Sequence, residues 1–236
     1  MFSPISLTEM DEVKLMKRMD TKFIVNTDKI LVLLNHIKSD YKILEINGNR
    51  LMTYDSLYYD TDGLNFYLDH HNKIANRIKI RKRNYVESNI SFLEIKQKNN
   101  KGVTIKTRIP LQSFSKEMSQ EGHSFIKEIT NKDLTLHHSI SNRFYRLTLV
   151  SIENEERVTI DFNLSYDNQL YNKKLAIIEL KQEKLNRNSK LFQALKSIGI
   201  NPFSISKYCI GMATTYPDLK QNFFKHKMLT ITKKTA

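Results

Sequence analysis

The sequence predicts an α+β domain built on a mainly antiparallel sheet that closes into a barrel, with helices flanking it. Two observations carry this. Segments that read as strands follow one another along most of the chain, with few helical patterns between them, which is the order of an α+β architecture and not of alternating βα units. Within five of those segments charged and apolar residues alternate with period two, so each strand shows one charged face and one apolar face.

The elements are taken in order. Residues 8 to 19, TEMDEVKLMKRM, read as a short amphipathic helix with Thr8 as N-cap and Val13, Met16 and Met19 on one face. A strand follows at 20 to 25, DTKFIV. Asn26 or Thr27 then caps DKILVLLNHIK, whose Ile30, Leu33, Leu34 and Ile37 recur at helical spacing. Strands are predicted at 51–59, 76–85, 90–98, 103–109, 142–151, 156–163 and 174–182, and helices near 114–129 and 189–197, the last closed by Gly199 and Pro202. The organisation expected is one domain over residues 1–218 and a basic tail over 219–236, LKQNFFKHKMLTITKKTA. The tail has five lysines and no acid and reads as mobile. A sharper reading docks it on an anionic membrane surface or back over the mouth of the barrel, with Phe223 and Phe224 as anchors.

Composition limits the function. The chain has 236 residues and 38 Lys and Arg against 25 acids, a formal charge of +13. That excess implies an anionic partner. One cysteine, Cys209, permits no internal disulfide, and no opening stretch reads as a signal peptide, so a reducing, cytoplasmic setting is expected. No apolar run approaches the roughly 20 residues that span a bilayer.

Strand parity sharpens the anion argument. In RIKIRKRNY, Arg77, Lys79, Arg81 and Arg83 share a face, with Ile78 and Ile80 on the other. Glu94, Lys96 and Lys98 oppose Leu93 and Ile95; Lys106 and Arg108 oppose Val103, Ile105 and Ile109. Arg157, Thr159 and Asp161 oppose Val158 and Ile160, and Glu179 and Lys181 oppose Ala176, Ile178 and Leu180. An ordinary half-solvated sheet would mix the signs of its surface charges. Here cations dominate with single acids embedded, which suits a barrel whose inner face meets a polyanion.

In this arrangement the sequence resembles the triphosphate tunnel metalloenzymes (the CYTH-like superfamily), and within them the VTC domain, the catalytic part of polyphosphate polymerases. The segments RMDTKF (18–23), SLYYDT (56–61), NFYLDHHNKIANRIKIRKRNY (65–85), FLEIKQK (92–98), KGVTIKTRIPL (101–111), NRFYRLTL (142–149), RVTIDFNL (157–164), AIIELK (176–181) and SISKYCIGM (204–212) are similar to the family's strands and come in its order. The first departs from the Glu-x-Glu-x-Lys strand of the cyclase and thiamine triphosphatase branches, which favours the VTC branch.

The resemblance implies a tunnel in which Arg81, Lys79, Lys207 and Arg146 act on the reacting phosphates. Lys22, Arg77, Arg83, Lys96, Lys106, Arg108, Lys181 and Ser206 would bind the rest of the chain, since guanidinium forks match phosphate oxygens. It implies Glu179 as ligand to Mn²⁺ or Mg²⁺, with Glu94 as a second candidate, while Asp161 orients an arginine. For each cation the competing reading is a solvated surface charge, and for Glu179 a salt bridge. His70 and His71, expected in a loop, and His137 and His138, expected in a helix or turn, read as solvated. The function implied is transfer of the ATP γ-phosphoryl group to a growing polyphosphate. A triphosphatase acting on ATP or another triphosphate is the alternative, and a polyphosphate-binding module a further one. Nucleic acid is disfavoured because the basic faces of 77–83, 96–98 and 106–108 hold no aromatic for base stacking.

Overall fold

A computed structural model describes residues 2–12 and 19–236. Eleven strands form one sheet, numbered in chain order. Its main path runs β2 (Met19–Asn26), β11 (Leu175–Gln182), β9 (Glu156–Tyr166), β8 (His137–Ser151), β4 (Met52–Asp60), β5 (Arg77–Tyr85), β6 (Ile90–Lys98) and β7 (Thr104–Leu111), antiparallel throughout. The short β1 (Ser3–Ile5) lies parallel to β3 (Tyr41–Leu44), which pairs with the end of β8; β10 (Gln169–Leu170) folds back on β9.

The predicted strands are all present, and the period-two alternation is the reason. Phe23 and Val25 of β2 and Ala176, Ile178 and Leu180 of β11 point outward, where α2 (Ile30–Ile37) and α5 (Lys190–Ser197) bury them with Leu33, Ile37, Leu191 and Leu195. Ile80, Leu93 and Ile95 are covered in the same way by Phe125 and Ile126 of α4 (Gln120–Thr130). At about 25 cal/mol per Å² of apolar surface removed from water, these outer layers fix which face of each strand turns inward.

The inner face is divided. Toward one end it is apolar, with Ile24, Ile177, Leu164 and Phe144 packed on Tyr208, Cys209, Ile210 and Met212 of α6 (Lys207–Thr215). Toward the other it is charged.

Four findings depart from the sequence reading. The expected closed barrel is not formed by hydrogen bonds: the path ends at β2 and β7, and no ladder joins them among the described residues. The edge of β2 is instead engaged by the chain entering α6, where Phe203 N–H donates to Lys22 O (2.6 Å). The first helix, expected over 8–19, is described as α1 (Leu7–Glu12); residues 13–18 lie outside the described residues, and Met19 opens β2. The expected loop at His70 and His71 is α3 (Asn65–His71), started by Asp60, whose carboxylate accepts from Phe66 N and Tyr67 N (both 2.9 Å). The tail expected to be mobile holds α7 (Asn222–Lys234), which buries Phe224 and Ile231 in the core beside α3 and α6. Phe223 and Phe224 face His71 at 6.2 and 5.6 Å, so they anchor the helix to the body of the fold. None of the described helices is long and apolar enough to cross a membrane.

Candidate functional site

The charged half of the inner face encloses a cavity of about 690 Å³. Every side chain selected from the sequence as a phosphate or metal contact lines it except Arg77, whose guanidinium donates to Ile74 O (3.0 Å) at the surface. Parity placed Arg77 inward with its neighbours, but it is the first residue of β5, beyond the enclosed part of the sheet. Among the described residues, eleven basic and four acidic side chains line the cavity. An excess of seven positive charges is therefore gathered in one place, in a chain whose whole excess is +13.

Register explains how the cations come together. Lys79, Lys96 and Lys106 are directly opposite one another on β5, β6 and β7, and Arg81 is opposite Tyr58 on one side and Glu94 on the other. Lys22 lies opposite Glu179, and Glu179 opposite Thr159. Lys22 and Lys96, from well-separated positions along the sheet path, are close enough for Lys22 to disfavour a charge on Lys96.

The acids have distinct roles. Asp161 is buried behind the wall and accepts from Arg146 Nε (2.6 Å) and Nη2 (2.8 Å), with a third ion pair to Lys207. Burial opposes its charge, but Arg146 and Lys207 overcome that and hold its carboxyl well below the usual range. This is the arginine-orienting role expected of it. Glu94, expected as a second metal ligand, is committed elsewhere: one oxygen accepts from Arg81 Nε (2.7 Å), and the other is ion-paired with Lys106. Despite burial, Arg81, Arg83 and Lys106 bring its pKa down to about 2. Both its oxygens lie against cations.

Glu179 is held more loosely, 4.0 Å from Lys22 Nζ and 3.5 Å from Lys181 Nζ. Its charge persists against burial because of Lys181, Lys22 and Arg146. Beside it, the buried Thr159 hydroxyl has no hydrogen-bond partner among the described residues. A carboxylate with longer contacts and an unmet hydroxyl next to it form a donor set of hard oxygens that fits a divalent cation completed by phosphate oxygens. Among the described residues no group of three or more His, Cys, Asp or Glu forms a cage on its own.

The lysines are tuned by confinement. Burial lowers Lys79, Lys106 and Lys181 to about 8 each, and lowers Lys96 and Lys207 as well. Three lysines also converge on the segment before α6: Lys227 donates to Ser204 O (2.8 Å), Lys22 to Ile205 O (3.2 Å) and Lys79 to Ser206 Oγ (2.9 Å). Ser206 is the N-cap of α6, its hydroxyl accepting from Cys209 N–H (3.3 Å). The positive end of that helix therefore points into the cavity.

Sequence reasoning missed Tyr58 and the aromatics beside it. Tyr58 receives a hydrogen bond from Arg81 Nη1 (3.4 Å); burial raises its pKa, but Arg81 and Arg83 outweigh that and bring it to about 8. Its parity within SLYYDT was the available signal. Phe144, on the same inward series as Arg146, carries Lys207 Nζ at 4.2 Å from its ring centre. The histidines play no part in the cavity lining: His71 is buried and accepts from Phe223 N–H (3.3 Å), while His137 pairs with exposed Asp62 (2.8 Å) at the start of β8.

The fold and the site together are a curled antiparallel sheet enclosing a cationic cavity, with one loosely held carboxylate on its wall. The chain belongs to the VTC domain family, whose model matches residues 17–216. No curated protein matches it by sequence. Its structure is similar to that of a candidate adenylate cyclase from Bacillus halodurans (TM-score 0.55, 15% identity, covering 80% of this chain and 94% of the other). It is also similar to a candidate adenylyl cyclase from Hippeastrum described as having a dominant triphosphatase activity (TM-score 0.54, 15% identity, 84% and 96%). A third, a candidate adenylate cyclase from Vibrio parahaemolyticus, matches with TM-score 0.51 at 12% identity over 82% and 97%. At these identities the likeness is one of fold.

Proposed function

We propose that this protein is a metal-dependent polyphosphate polymerase that transfers the γ-phosphoryl group of ATP to the end of a polyphosphate chain. The observation that supports it most is the company of Glu179: a carboxylate with long contacts, set within a cavity carrying seven excess positive charges.

The residues divide the work. Arg81 and Arg83, fixed by Glu94 and by the Ser56 hydroxyl (3.1 Å), present guanidinium forks to phosphate oxygens without having to be ordered on binding. Arg146, clamped by Asp161, and Lys207 face the same volume and would neutralise charge on the transferred group. Lys79 and Ser206 at the helix terminus would hold a terminal phosphate, while Lys22, Lys96, Lys106, Arg108 and Lys181 would hold the rest of the chain. Glu179, with Thr159 beside it, would hold Mg²⁺ or Mn²⁺. That ion, when bound, supplies charge neutralisation between phosphate groups. In the transfer the bond from the γ-phosphorus to the bridging oxygen breaks, a terminal oxygen of the acceptor forms the new bond, and ADP leaves. No nucleophilic side chain is required.

The Hippeastrum protein's described activity favours a second reading, in which water replaces the acceptor and the products are ADP and phosphate. The test is to incubate the protein with ATP and Mn²⁺ or Mg²⁺, with and without a short polyphosphate primer, and to resolve chains by gel alongside phosphate release. Long chains lost in Arg81→Ala and Glu179→Ala are expected. Free phosphate without chains would make the protein a triphosphatase, and metal-independent polyphosphate binding without turnover would make it a binding module.

A further inference from the structure

The cationic face does not end in water. On β5 the inward series Lys79, Arg81, Arg83 continues to Tyr85, and on β6 the series Lys96, Glu94 continues to Phe92. On β4 the corresponding position, opposite Tyr85, is Tyr54. The rings touch in sequence across the strands: Tyr54 to Tyr85 at 4.9 Å between centroids and 62°, and Tyr85 to Phe92 at 6.0 Å and 87°. The Arg108 guanidinium lies over Phe92 at 4.2 Å. Tyr85 and Phe92 are only partly buried, and Ile90 beside them on the cavity wall is 43% exposed.

An apolar, aromatic rim next to a polyanion site is unfavourable for a bare phosphate chain, which must remain either solvated or paired with cations. It suits a ligand with a flat apolar group joined to phosphates. Aromatic rings with an arginine plane form a platform for a base, and stacking there is indifferent to the edge of the base. Four residues at about 3.3 Å each set Tyr85 roughly 13 Å along the strand from Arg81, which leaves room for a sugar between base and phosphates.

We propose that Tyr85 and Phe92 form the nucleobase subsite of this cavity for its nucleoside triphosphate, with purines preferred over pyrimidines. The inference rests on the triphosphate reading above and deepens it. Stacking grows with ring area, which puts ATP and GTP ahead of UTP and CTP, and the rim discriminates little between the two purines.

The experiment compares ATP with inorganic tripolyphosphate at fixed Mg²⁺ by calorimetric titration of the full chain, in wild type, Tyr85→Leu and Phe92→Leu. Leucine keeps apolar volume for folding and removes the stacking face. Each variant is expected to bind ATP about tenfold more weakly, about 1.4 kcal/mol, with tripolyphosphate affinity falling by much less. Quenching of ethenoadenosine triphosphate fluorescence on binding to wild type, reduced in both variants, gives a second readout of stacking. Equal losses for ATP and tripolyphosphate would make the rings part of the wall only and overturn the subsite. So would no loss for either while wild type binds both, and in neither case would the triphosphate reading fall. If wild type binds neither ligand, the reading and the subsite fall together.

Discussion

Replacing Asp161 with asparagine keeps the shape of the side chain and removes the charge that Arg146 and Lys207 share. The carboxylate is 2% exposed, bidentate to Arg146 at 2.6 and 2.8 Å, and ion-paired with Lys207. In the variant two cations keep their burial and lose their counter-charge. Removing one partner from a buried pair costs about 3–5 kcal/mol, and a chain of this size loses roughly 2–4 °C of Tm per kcal/mol. A fall of about 6–20 °C at pH 7 is expected by differential scanning fluorimetry. The pH dependence has a definite sign. The folded carboxyl is held below its unfolded value near 3.9, so its contribution is complete above that value and is lost as pH falls through the lower, folded pKa. The difference between wild type and variant should therefore be flat from pH 5 to 8 and shrink only in stronger acid. Tripolyphosphate should raise the Tm of the variant by more than that of wild type, because the ligand supplies the charge that was removed. A variant within 2 °C of wild type, or one that gains no more from tripolyphosphate, would refute the assignment of Asp161 as the counter-ion that makes the cavity tolerable.

Three further outcomes follow from the same geometry. Lys79, Lys106 and Lys181 titrate near pH 8 in the free protein, and an anion stabilises their protonated forms, so tripolyphosphate affinity should fall as pH rises from 7 to 9.5. Binding at pH 8.5 should take up protons, detectable as a dependence of titration heat on buffer. A Cβ on Gly211 would clash with the Tyr166 ring, so Gly211→Ala should cost about 1–3 kcal/mol in denaturant unfolding. It should also disturb phosphate binding, because Tyr166 O–H donates to Lys207 O (2.7 Å). Phe224 is 1% exposed against Tyr67 and His71, and Phe224→Ala should cost about 3–5 kcal/mol by the same measurement, whereas a mobile tail would lose almost nothing.

The sheet and most of the cavity were legible because period-two alternation determines a face before any partner strand is known. Lys79, Arg81, Arg83, Glu94, Lys106, Glu179 and Lys181 were all placed by that rule. What parity does not contain is register. Glu94 and Glu179 look alike as single acids among bases, and only the pairing of β6 with β5 and β7 shows that Arg81 and Lys106 claim the first, while β2 leaves the second at longer range. The helices that were not anticipated failed for different reasons. In α6, Tyr208 to Ala213 are all buried, so there is no polar stripe to give a 3.6-residue period. In α7 only Phe224 and Ile231, two turns apart, are buried among polar residues, which reads locally as solvated chain. The aromatic rim lies one step past the stretches in which aromatics were sought.

The convergence of Lys22, Lys79 and Lys227 on residues 204–206 bears on how such a cavity exists without its ligand. Repulsion among cations falls off slowly in a low-dielectric enclosure, and burial has already lowered several of the lysines. Neutral acceptors relieve part of this. Two carbonyls and one hydroxyl each take an ammonium hydrogen bond, and two acids hold arginines in place. These contacts are the weaker kind, since their acceptors carry only a dipole, whereas a phosphate oxygen adds the Coulomb attraction of a full opposite charge. Carbonyl 205 and hydroxyl 206 are thus placeholders that a phosphate can outcompete, whereas Asp161 and Glu94, with full charges on buried oxygens, are not. The same chain thus holds Arg81 and Arg146 against full carboxylate charges, and Lys22, Lys79 and Lys227 against neutral acceptors, so it is this second group that can exchange onto an incoming anion.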